Sequence, residues 1–348
     1  MLKKIVKPVL IIGALLLLLL WWLFGSSVTG FSDKAKFVYI ATGTNSKEAV
    51  LQALQKDGII SSTTGFDVLA KATGYYDNIK PGKYRIEKGS NALSIFRMLK
   101  AGRQAEVKLV LGKIRLREDW AQKMSQLIET DSASIMRFLS SNDSLKALGV
   151  DTASWATLLI QNTYNIYWTQ NFNTVMQRLK KEQAKWWAQK NRKEKAAALG
   201  FSPAEVYTIA SIVEEETNMR SDKPLVASVY MNRLKKGMPL QADPTVRFAR
   251  KDFETNRVYY NHLKVASPYN TYQNKGLPPG PICVPSVATL DAVLQAPATD
   301  YIYFVAKPDF SGHSVFNSSY AEHSKAAKIY QDSLTAYLNR KAAKAAGK

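Results

Sequence analysis

The sequence is poor in the residues from which disulfides and metal sites are built. Its 348 residues include one cysteine and three histidines. The lone Cys283 excludes an intrachain disulfide and a cysteine-rich metal site. His262, His313 and His323 are too far apart to form a recognisable zinc motif. His313 and His323 flank a predicted loop, where we expect them to orient the backbone.

Signatures of several common enzyme classes are also missing. The chain contains no phosphate-binding loop, no paired-histidine metal motif and no Gly-x-Ser-x-Gly nucleophile elbow. It shows no internal repeat and no low-complexity block. Any catalytic chemistry therefore has to be sought in other side chains.

Acidic residues are scarce relative to basic ones. There are 28 Asp and Glu against 48 Lys and Arg, which leaves a formal net charge of +20. Such a surface favours anionic partners, namely nucleic acid, lipid headgroups or an acidic polymer, and charge alone does not choose among them. At 348 residues the chain has room for one membrane segment and two or three folded units, and its 46% of hydrophobic residues is enough for a sizeable core.

Only one long apolar run stands out, and it lies near the N-terminus. The uncharged stretch from Val9 to Phe24, with the residues just before it, approaches the roughly 20 residues that a membrane-spanning helix needs. Trp21 and Trp22 close the run, and indole rings favour the membrane interface. A cleaved signal peptide is the alternative, but its apolar region is usually shorter and ends in small residues. We therefore predict an uncleaved anchor.

The charges before this run predict its orientation. Lys3, Lys4 and Lys7 precede it, which places the N-terminus in the cytoplasm and everything after Gly25 outside the cytoplasmic (inner) membrane. An extracytoplasmic body, periplasmic in a cell with two membranes, is poorly placed to act on nucleic acid. The basic surface is therefore better matched to a polymer of the cell envelope.

The stretch SPAEVYTIASIVEEET combines a strong helix start with three consecutive glutamates. Ser202 can cap the helix, Pro203 suits the first helical position, and Glu205 completes a capping box. An apolar stripe then follows at helical spacing, formed by Val206, Ile209, Ile212 and Val213.

The same spacing determines where each glutamate points. Glu216 follows Ile209 by seven residues and Ile212 by four, and so it lies on the apolar stripe. Glu214 falls near the edge of the stripe, and Glu215 points to the opposite side, where we expect solvation. A carboxyl among apolar groups has a raised pKa and can donate a proton near neutral pH. Spacing alone leaves open that the helix has left the core by its fourth turn, which would make Glu216 an ordinary solvated residue.

Loops rich in proline and glycine follow this helix. They carry amide, hydroxyl, carboxyl and aromatic groups that suit a polyhydroxylated ligand. The candidate ligand-binding residues are Gln241, Asp243, Thr245, Asn270 and Tyr272.

Four motifs carry a resemblance to a known family. They are ASIVEEET, VASVYMNRLKKGMPLQADPTV, YNTYQNKGLPPGPI and YIYFVAKPDFSGHSVFN followed by a later histidine. In order and spacing they resemble the endolytic murein transglycosylases of the YceG-like family. The family signature is Glu-x-Glu-Thr, in which the second glutamate is catalytic, and that position corresponds to Glu216.

Two regions depart from the family pattern. A Glu-Gly pair found in the family is replaced here by Leu111-Gly112. A Glu-Gly-x-x-x-Pro-Asp-Thr-Tyr segment is replaced by LLIQNTYNIYW, in which Gln161 removes a carboxylate. The role of the middle region, residues 113–200, is therefore left unassigned.

The resemblance implies cleavage of the β-1,4 bond between N-acetylmuramic acid and N-acetylglucosamine within nascent glycan strands, leaving a 1,6-anhydromuramoyl end. Glu216 would act first as general acid and then as general base, with no metal and no organic cofactor. The implied partners are peptidoglycan strands, the membrane through the N-terminal helix, and the synthases that polymerise the strands. Nucleic acid is not an expected partner.

Two alternatives remain open. A hydrolase of the same polymer, a muramidase, would use Asp243 as a second carboxylate beside Glu216. A non-catalytic, membrane-tethered protein would bind the wall without cutting it. The products of digested murein distinguish all three.

The expected fold class is α+β. A single transmembrane helix precedes a small module of β-α-α-β order, which resembles the carbohydrate-binding LysM type, and a catalytic α+β domain with a helical insertion. The predicted segments are 1–25 (cytoplasmic N-terminus and anchor), 26–36 (linker), 37–112 (LysM-like module), 113–200 (mostly helical middle region), 201–335 (catalytic domain) and 336–348 (basic tail).

Overall fold

A computed structural model describes residues 2–254 and 258–346, and its side chains are described over 7–254 and 258–342. The chain divides into two compact units. Unit 1 contains the residues up to Leu109 together with Met124–Asp131 and Tyr164–Phe172, and unit 2 contains Val110–Lys123, Ser132–Thr163 and the chain from Asn173 onward.

The N-terminal apolar run forms helix α1 (Leu2–Leu20), which continues into a π-helical turn (Trp21–Gly25). Within it, Lys7–Gly25 is a 19-residue stretch with a mean hydropathy of 2.4, and none of it is buried in the rest of the chain. Its length and apolar character are those of a membrane-spanning helix. The predicted single N-terminal candidate is therefore present.

The folded part of unit 1 begins with the predicted β-α-α-β order. Its elements are β1 (Ala35–Ile40), α2 (Lys47–Gln55), α3 (Thr64–Ala72), β2 (Gly82–Glu87), α4 (Ala92–Ala101) and β3 (Glu106–Leu111), which leads into unit 2. β1 and β2 pair antiparallel, with Val38 opposite Tyr84. Both side chains lie in one apolar core with residues of α2, α3 and α4. The alternation of inward and outward side chains along each strand produces this one-sided burial.

Residues 113–200 contain five α-helices and one strand. Their elements are α5 (Arg117–Ser125), α6 (Ser132–Ser140), α7 (Asn142–Lys146), β4 (Asn162–Tyr167), α8 (Phe172–Ala188) and α9 (Arg192–Leu199). β4 pairs with β3, and its buried Tyr164 and Ile166 alternate with exposed neighbours, which is the period of a strand. Since Met124–Asp131 and Tyr164–Phe172 belong to unit 1, this region is not one separate helical insertion.

The remainder of unit 2 is mixed α and β. Its elements are α10 (Pro203–Glu216), α11 (Lys223–Lys235), α12 (Asp243–Arg250), α13 (Val287–Val293), β5 (Tyr303–Ala306), β6 (Ser314–Asn317) and α14 (Tyr320–Ala346). Helix α10 packs against α11, α12 and α13, and its apolar side chains belong to a core cluster of this unit. β5 and β6 form an antiparallel pair in which Phe304 lies opposite Phe316. The mixed α+β class is therefore confirmed.

Candidate active site

Helix α10 carries the three glutamates, and its start is the one that the sequence predicts. The Ser202 side chain accepts from the Glu205 N–H, and the Glu205 carboxylate accepts from the Ser202 N–H at 2.8 Å. This capping box, with Pro203 in the first turn, fixes the register of the helix. Every residue from Val206 to Val213 is buried, so the glutamates follow directly from the core.

Glu214 is held by polar partners on neighbouring elements. The Lys223 ammonium lies 2.9 Å from its carboxylate, and the hydroxyls of Ser286 and Thr289 also donate to it. Burial alone would raise the pKa of Glu214, but the bonds from Thr289 and Lys223 outweigh it and the pKa is lowered. Glu214 is therefore an ionised structural residue.

Glu215 is likewise paired and does not face open solvent. Arg115 donates to its two carboxylate oxygens at 3.0 and 2.8 Å, and Lys113 lies at 3.2 Å. Burial would raise the pKa of Glu215, but Arg115 and Lys113 outweigh it and lower the pKa. With a side chain only 12% exposed, our prediction of a solvated Glu215 is wrong. The reason is non-local, since the Arg115 that covers it is 100 residues away in the sequence.

Glu216, the last helical residue, is the chemically distinct one. Burial raises the pKa of its carboxyl to about 7, and the negative charge of Asp243 adds to the effect. A hydrogen bond from Tyr230 and the charge of Arg233 act in the opposite direction. Its Oε2 atom is buried and has no hydrogen-bond partner among the described residues. A carboxyl in this state is substantially protonated at neutral pH and has an oxygen uncommitted to the fold.

Two cavities open beside Glu216. The central cavity, of about 300 Å³, is lined by Glu216, Tyr230, Arg233, Leu240, Gln241, Asp243, Tyr272, Phe304 and His323. The side cavity, of about 150 Å³, is lined by Glu215, Glu216, Asp243, Pro244, Arg247 and Val258. Glu216 and Asp243 line both cavities, so the two carboxyls face the same space.

Three of the five predicted ligand-binding residues lie in the central cavity. The Tyr272 hydroxyl donates to Asp243 Oδ1 at 2.6 Å, which fixes the carboxylate at the first turn of α12. Gln241 has a left-handed backbone with φ of 50°, and its N–H donates to the Thr271 carbonyl at 3.1 Å. A left-handed non-glycine residue held by its surroundings is a feature that clusters at functional sites.

The other two predicted residues are not available to a ligand. Thr245 and Asn270 have no exposed surface. The Thr245 hydroxyl donates to the Ala242 carbonyl at 2.7 Å. The Asn270 amide donates to the carbonyls of Leu263 and Val265, both at 2.9 Å. Both side chains hold loop backbone in place, so their expected role as direct contacts is corrected to a structural one.

Several residues of the central cavity were missed by sequence reasoning. Tyr230 and Arg233 lie three positions apart on α11, a spacing that places them on one face of a helix. The Arg233 guanidinium donates to the carbonyls of Ile302 at 2.7 Å and Leu240 at 2.8 Å. The chain reads VYMNRL at this point, and the helical spacing of the tyrosine and the arginine was the available signal.

The two histidines near the C-terminal motif have different roles. His313 Nδ1 lies 2.8 Å from Asp222, and Asp222 accepts from the Ser314 N–H at 2.7 Å, so the expected backbone-orienting role fits His313. His323 instead lines the central cavity and stacks on Tyr303 with ring centroids 5.0 Å apart. Burial and the charge of Arg233 lower the pKa of His323. The same expectation is therefore wrong for His323.

Comparisons with known proteins agree with the resemblance found in the sequence. A region of the endolytic murein transglycosylase of Bacillus subtilis (strain 168) is 47% identical over 123 residues, which cover 35% of this chain and 33% of that protein. The endolytic murein transglycosylase of Streptococcus pneumoniae (serotype 2, strain D39) is 27% identical over 305 residues, or 79% of this chain and 55% of that protein. This chain thus spans about half or less of the length of these curated relatives.

A solved structure and a family profile extend the comparison to most of the chain. The crystal structure of a YceG-like protein from Listeria monocytogenes is 26% identical with a TM-score of 0.56, and the match covers 84% of this chain and 99% of that one. The profile of the YceG-like family matches residues 38–329, which include most of both units and every residue that lines the two cavities. The chain therefore belongs to the YceG-like family.

Proposed function

We propose that this protein is an endolytic murein transglycosylase. It cuts the β-1,4 bond between N-acetylmuramic acid and N-acetylglucosamine inside nascent glycan strands and leaves 1,6-anhydromuramoyl ends. Two curated relatives carry the name of this activity. The observation that carries the proposal is the carboxyl of Glu216, whose pKa burial raises to about 7 at the meeting point of two cavities.

The reaction needs one group that donates a proton and then accepts one. Protonated Glu216 donates to the glycosidic oxygen as the bond from that oxygen to C1 breaks. The resulting carboxylate takes the proton of the C6 hydroxyl as O6 bonds to C1 of the same sugar. The proton returns to Glu216 and no water is consumed. Because attack is intramolecular, proximity replaces the second carboxylate that hydrolysis requires.

The remaining groups of the central cavity hold the sugars. Gln241 and Asp243 supply polar groups for hydroxyls and N-acetyl amides, and Tyr272 and Phe304 supply aromatic faces. Asp243 also keeps a negative charge near C1, where positive charge develops as the bond breaks. The site as proposed uses no metal and no organic cofactor.

A muramidase is the second candidate function. Asp243 lines both cavities with Glu216 and its charge raises the Glu216 pKa, so it is placed in the space where a base for water, or a nucleophile, would act. Its product would carry a reducing end, which contains one more water than the anhydro product. Only the product distinguishes the two reactions.

Mass spectrometry of murein digested by the purified protein is the deciding experiment. Products with anhydro ends support the proposed transglycosylase, and products with reducing ends support a muramidase. If the substrate is unchanged, the protein binds the wall without cutting it. Glu216→Gln is expected to abolish product, because an amide cannot donate or accept the proton. Glu214→Gln is the matched control from the same helix end. It lies outside both cavities and should retain anhydro product, although it leaves the buried Lys223 without its carboxylate.

The topology completes the proposal. Residues 1–25 anchor the chain in the membrane with its N-terminus in the cytoplasm. Residues 26–36 link this anchor to residues 37–112, which act as a LysM-like glycan-binding module. The catalytic domain, residues 201–335, then lies outside the cytoplasmic membrane, followed by the basic tail of 336–348. From there it reaches strands near the membrane, beside the synthases that extend them.

A further inference from the structure

The side cavity beside Glu216 has a larger neighbour in the same unit. It shares Glu215, Pro244 and Arg247 with a void of about 10 Å³, and the same void shares Arg115 and Phe248 with a larger cavity of about 330 Å³. We call the larger one the cationic cavity. All of these lining residues belong to unit 2. The side cavity and the cationic cavity are therefore near neighbours, separated by the few side chains that enclose this void.

The two directions away from Glu216 differ in charge. The small void and the cationic cavity are lined by four cations, Arg115, Arg117, Arg247 and Lys251, and by two carboxylates, Glu118 and Glu215. The central cavity, on the other side, contains one arginine, Arg233, whose guanidinium is committed to backbone carbonyls. A neutral sugar gains nothing from the cationic direction, whereas an anionic group attached to the sugar does.

Two of the cations are available for such a group. Arg117 donates through Nη1 to the Leu139 carbonyl at 3.2 Å, and no carboxylate lies within ion-pair distance of it in the described part of the chain. Lys251 is paired with Glu118 at 2.7 Å, but both side chains are about half exposed. A positioned guanidinium and a nearby ammonium suit a carboxylate ligand.

The rest of the wall is apolar and rigid. Trp155 and Tyr269 line the cationic cavity together with three prolines. Phe248 packs on Tyr269 with ring centroids 4.7 Å apart. At Gly280, a Cβ would lie 2.1 Å from the Ala153 carbonyl oxygen, so the two loops that form this wall meet in direct backbone contact. Such a wall suits small aliphatic side chains next to carboxylates.

We propose that the cationic cavity binds the peptide stem of the muramoyl residue next to the cut bond, with a stem carboxylate at Arg117 and Lys251. The stem is an acidic peptide with small aliphatic side chains, which matches the charge and the wall of this cavity. The inference rests on the proposed function and adds its substrate class. The enzyme acts on strands that carry stems and discriminates against bare glycan.

The test compares two substrates with the full-length protein in detergent. One is uncrosslinked strands with intact stems, and the other is the same strands after an amidase has removed the stems. The wild type should show a lower KM for stem-bearing strands. Arg117→Gln should raise that KM about ten-fold and Lys251→Gln about three-fold, with little change in kcat. Neither variant should change the cleavage of stem-free strands.

Three controls make the result specific. Arg117→Lys keeps the charge and should recover part of the affinity, which shows that the loss is electrostatic rather than a folding defect. Lys195→Gln removes one exposed charge from α9, and it should change neither KM. The KM of the wild type for stem-bearing strands should rise with salt, because a charge contact is screened.

Failure of this inference differs from failure of the proposed function. The stem site would be overturned if the wild type cleaved both substrates with the same KM. It would also be overturned if Arg117→Gln and Lys251→Gln raised the KM equally for stem-bearing and stem-free strands. In both cases cleavage itself would persist. Absence of any cleaved product from either substrate would instead remove the proposed function.

Discussion

Tyr230 hydrogen bonds to Glu216 in the central cavity, where the phenol ring and the Oε2 atom of the carboxyl are buried. The bond stabilises the carboxylate form of Glu216 and so lowers its pKa, against the larger effect of burial that raises it. The Glu216 pKa of about 7 is thus a balance between burial and the charge of Asp243, which raise it, and the Tyr230 hydroxyl and the charge of Arg233, which lower it.

Removing that hydroxyl should shift the pH dependence upward. In Tyr230→Phe the carboxylate loses a donor, so the Glu216 pKa rises. Since the first step needs protonated Glu216, the alkaline limb of kcat/KM against pH should move to higher pH. The measurement is the rate of anhydro-product formation between pH 5 and 9. A limb that stays in place would show that another group controls it.

Removing the charge of Asp243 should shift the alkaline limb of kcat/KM to lower pH. Asp243 raises the Glu216 pKa, so Asp243→Asn lowers it, although burial, the larger cause, still holds it above its ordinary value of 4.5. For a transglycosylase, anhydro product should persist with the alkaline limb at lower pH. If Asp243→Asn abolishes cleavage, and the wild-type product carries reducing ends, the muramidase assignment is correct.

Stability should depend on pH through Glu216. Its pKa is about 7 in the folded protein and ordinarily 4.5, so between these values the folded state holds a proton that the unfolded state has lost. The free energy of unfolding therefore falls as pH rises through this window, by about 3 kcal/mol in total. Glu216→Gln lacks this fall. The unfolding free energy of Glu216→Gln minus that of the wild type should therefore be more positive at pH 8 than at pH 5.

Urea unfolding at both pH values, on a chain that starts at residue 26, measures the effect. Glu214→Gln is the comparison, because the folded pKa of Glu214 is lowered. Its carboxylate stabilises the fold above its ordinary pKa, and that contribution is lost as pH falls through the folded value. The variant should therefore be destabilised at both pH 5 and pH 8. A Glu216→Gln stability difference that is independent of pH would contradict the buried-acid description.

The close approach at Gly280 should not tolerate a side chain. A Cβ there would lie 2.1 Å from the Ala153 carbonyl oxygen, so Gly280→Ala forces backbone apart and should cost roughly 2 to 3 kcal/mol of unfolding free energy. Gly112→Ala is the matched control, since a Cβ at Gly112 meets nothing within 4 Å. Thermal unfolding of both variants tests the prediction. Equal melting temperatures would show that the two loops separate easily.

The proposed topology has a direct test. Alkaline phosphatase reaches its active form only outside the cytoplasm. A fusion of this enzyme after residue 348 should therefore be active, and a fusion at the N-terminus should be inactive. Deletion of residues 1–25, which removes the whole apolar span Lys7–Gly25, should release the protein from membranes washed with carbonate. The opposite pair of fusion activities would invert the orientation and reopen the nucleic-acid reading of the basic surface.

Local patterns predicted the elements better than the contacts between them. The capping box at Ser202 and the alternation in β1 and β2 are visible in the sequence, because each depends on residues a few positions apart. β4 was missed although it alternates equally well. Its pairing with β3 joins residues more than 50 positions apart, which no local pattern encodes.

The candidate site shows the same division. Gln241, Asp243 and Tyr272 have the right chemistry and reach the central cavity, while Thr245 and Asn270 have similar chemistry and are fully buried. Residue type alone could not separate the two groups. Exposure depends on how the loops fold over one another, and no local spacing encodes it.

By itself the sequence determined that Glu216 leaves helix α10 on its apolar side, because 3.6 residues per turn and a fixed start leave no other direction. Tertiary structure alone decided what surrounds that carboxyl. It placed Tyr230 and Asp243 beside Glu216 and gave Glu215 its partner Arg115, 100 residues away. Helical direction is a property of neighbouring residues, whereas burial and charge pairing depend on distant segments brought together by the packing of the core.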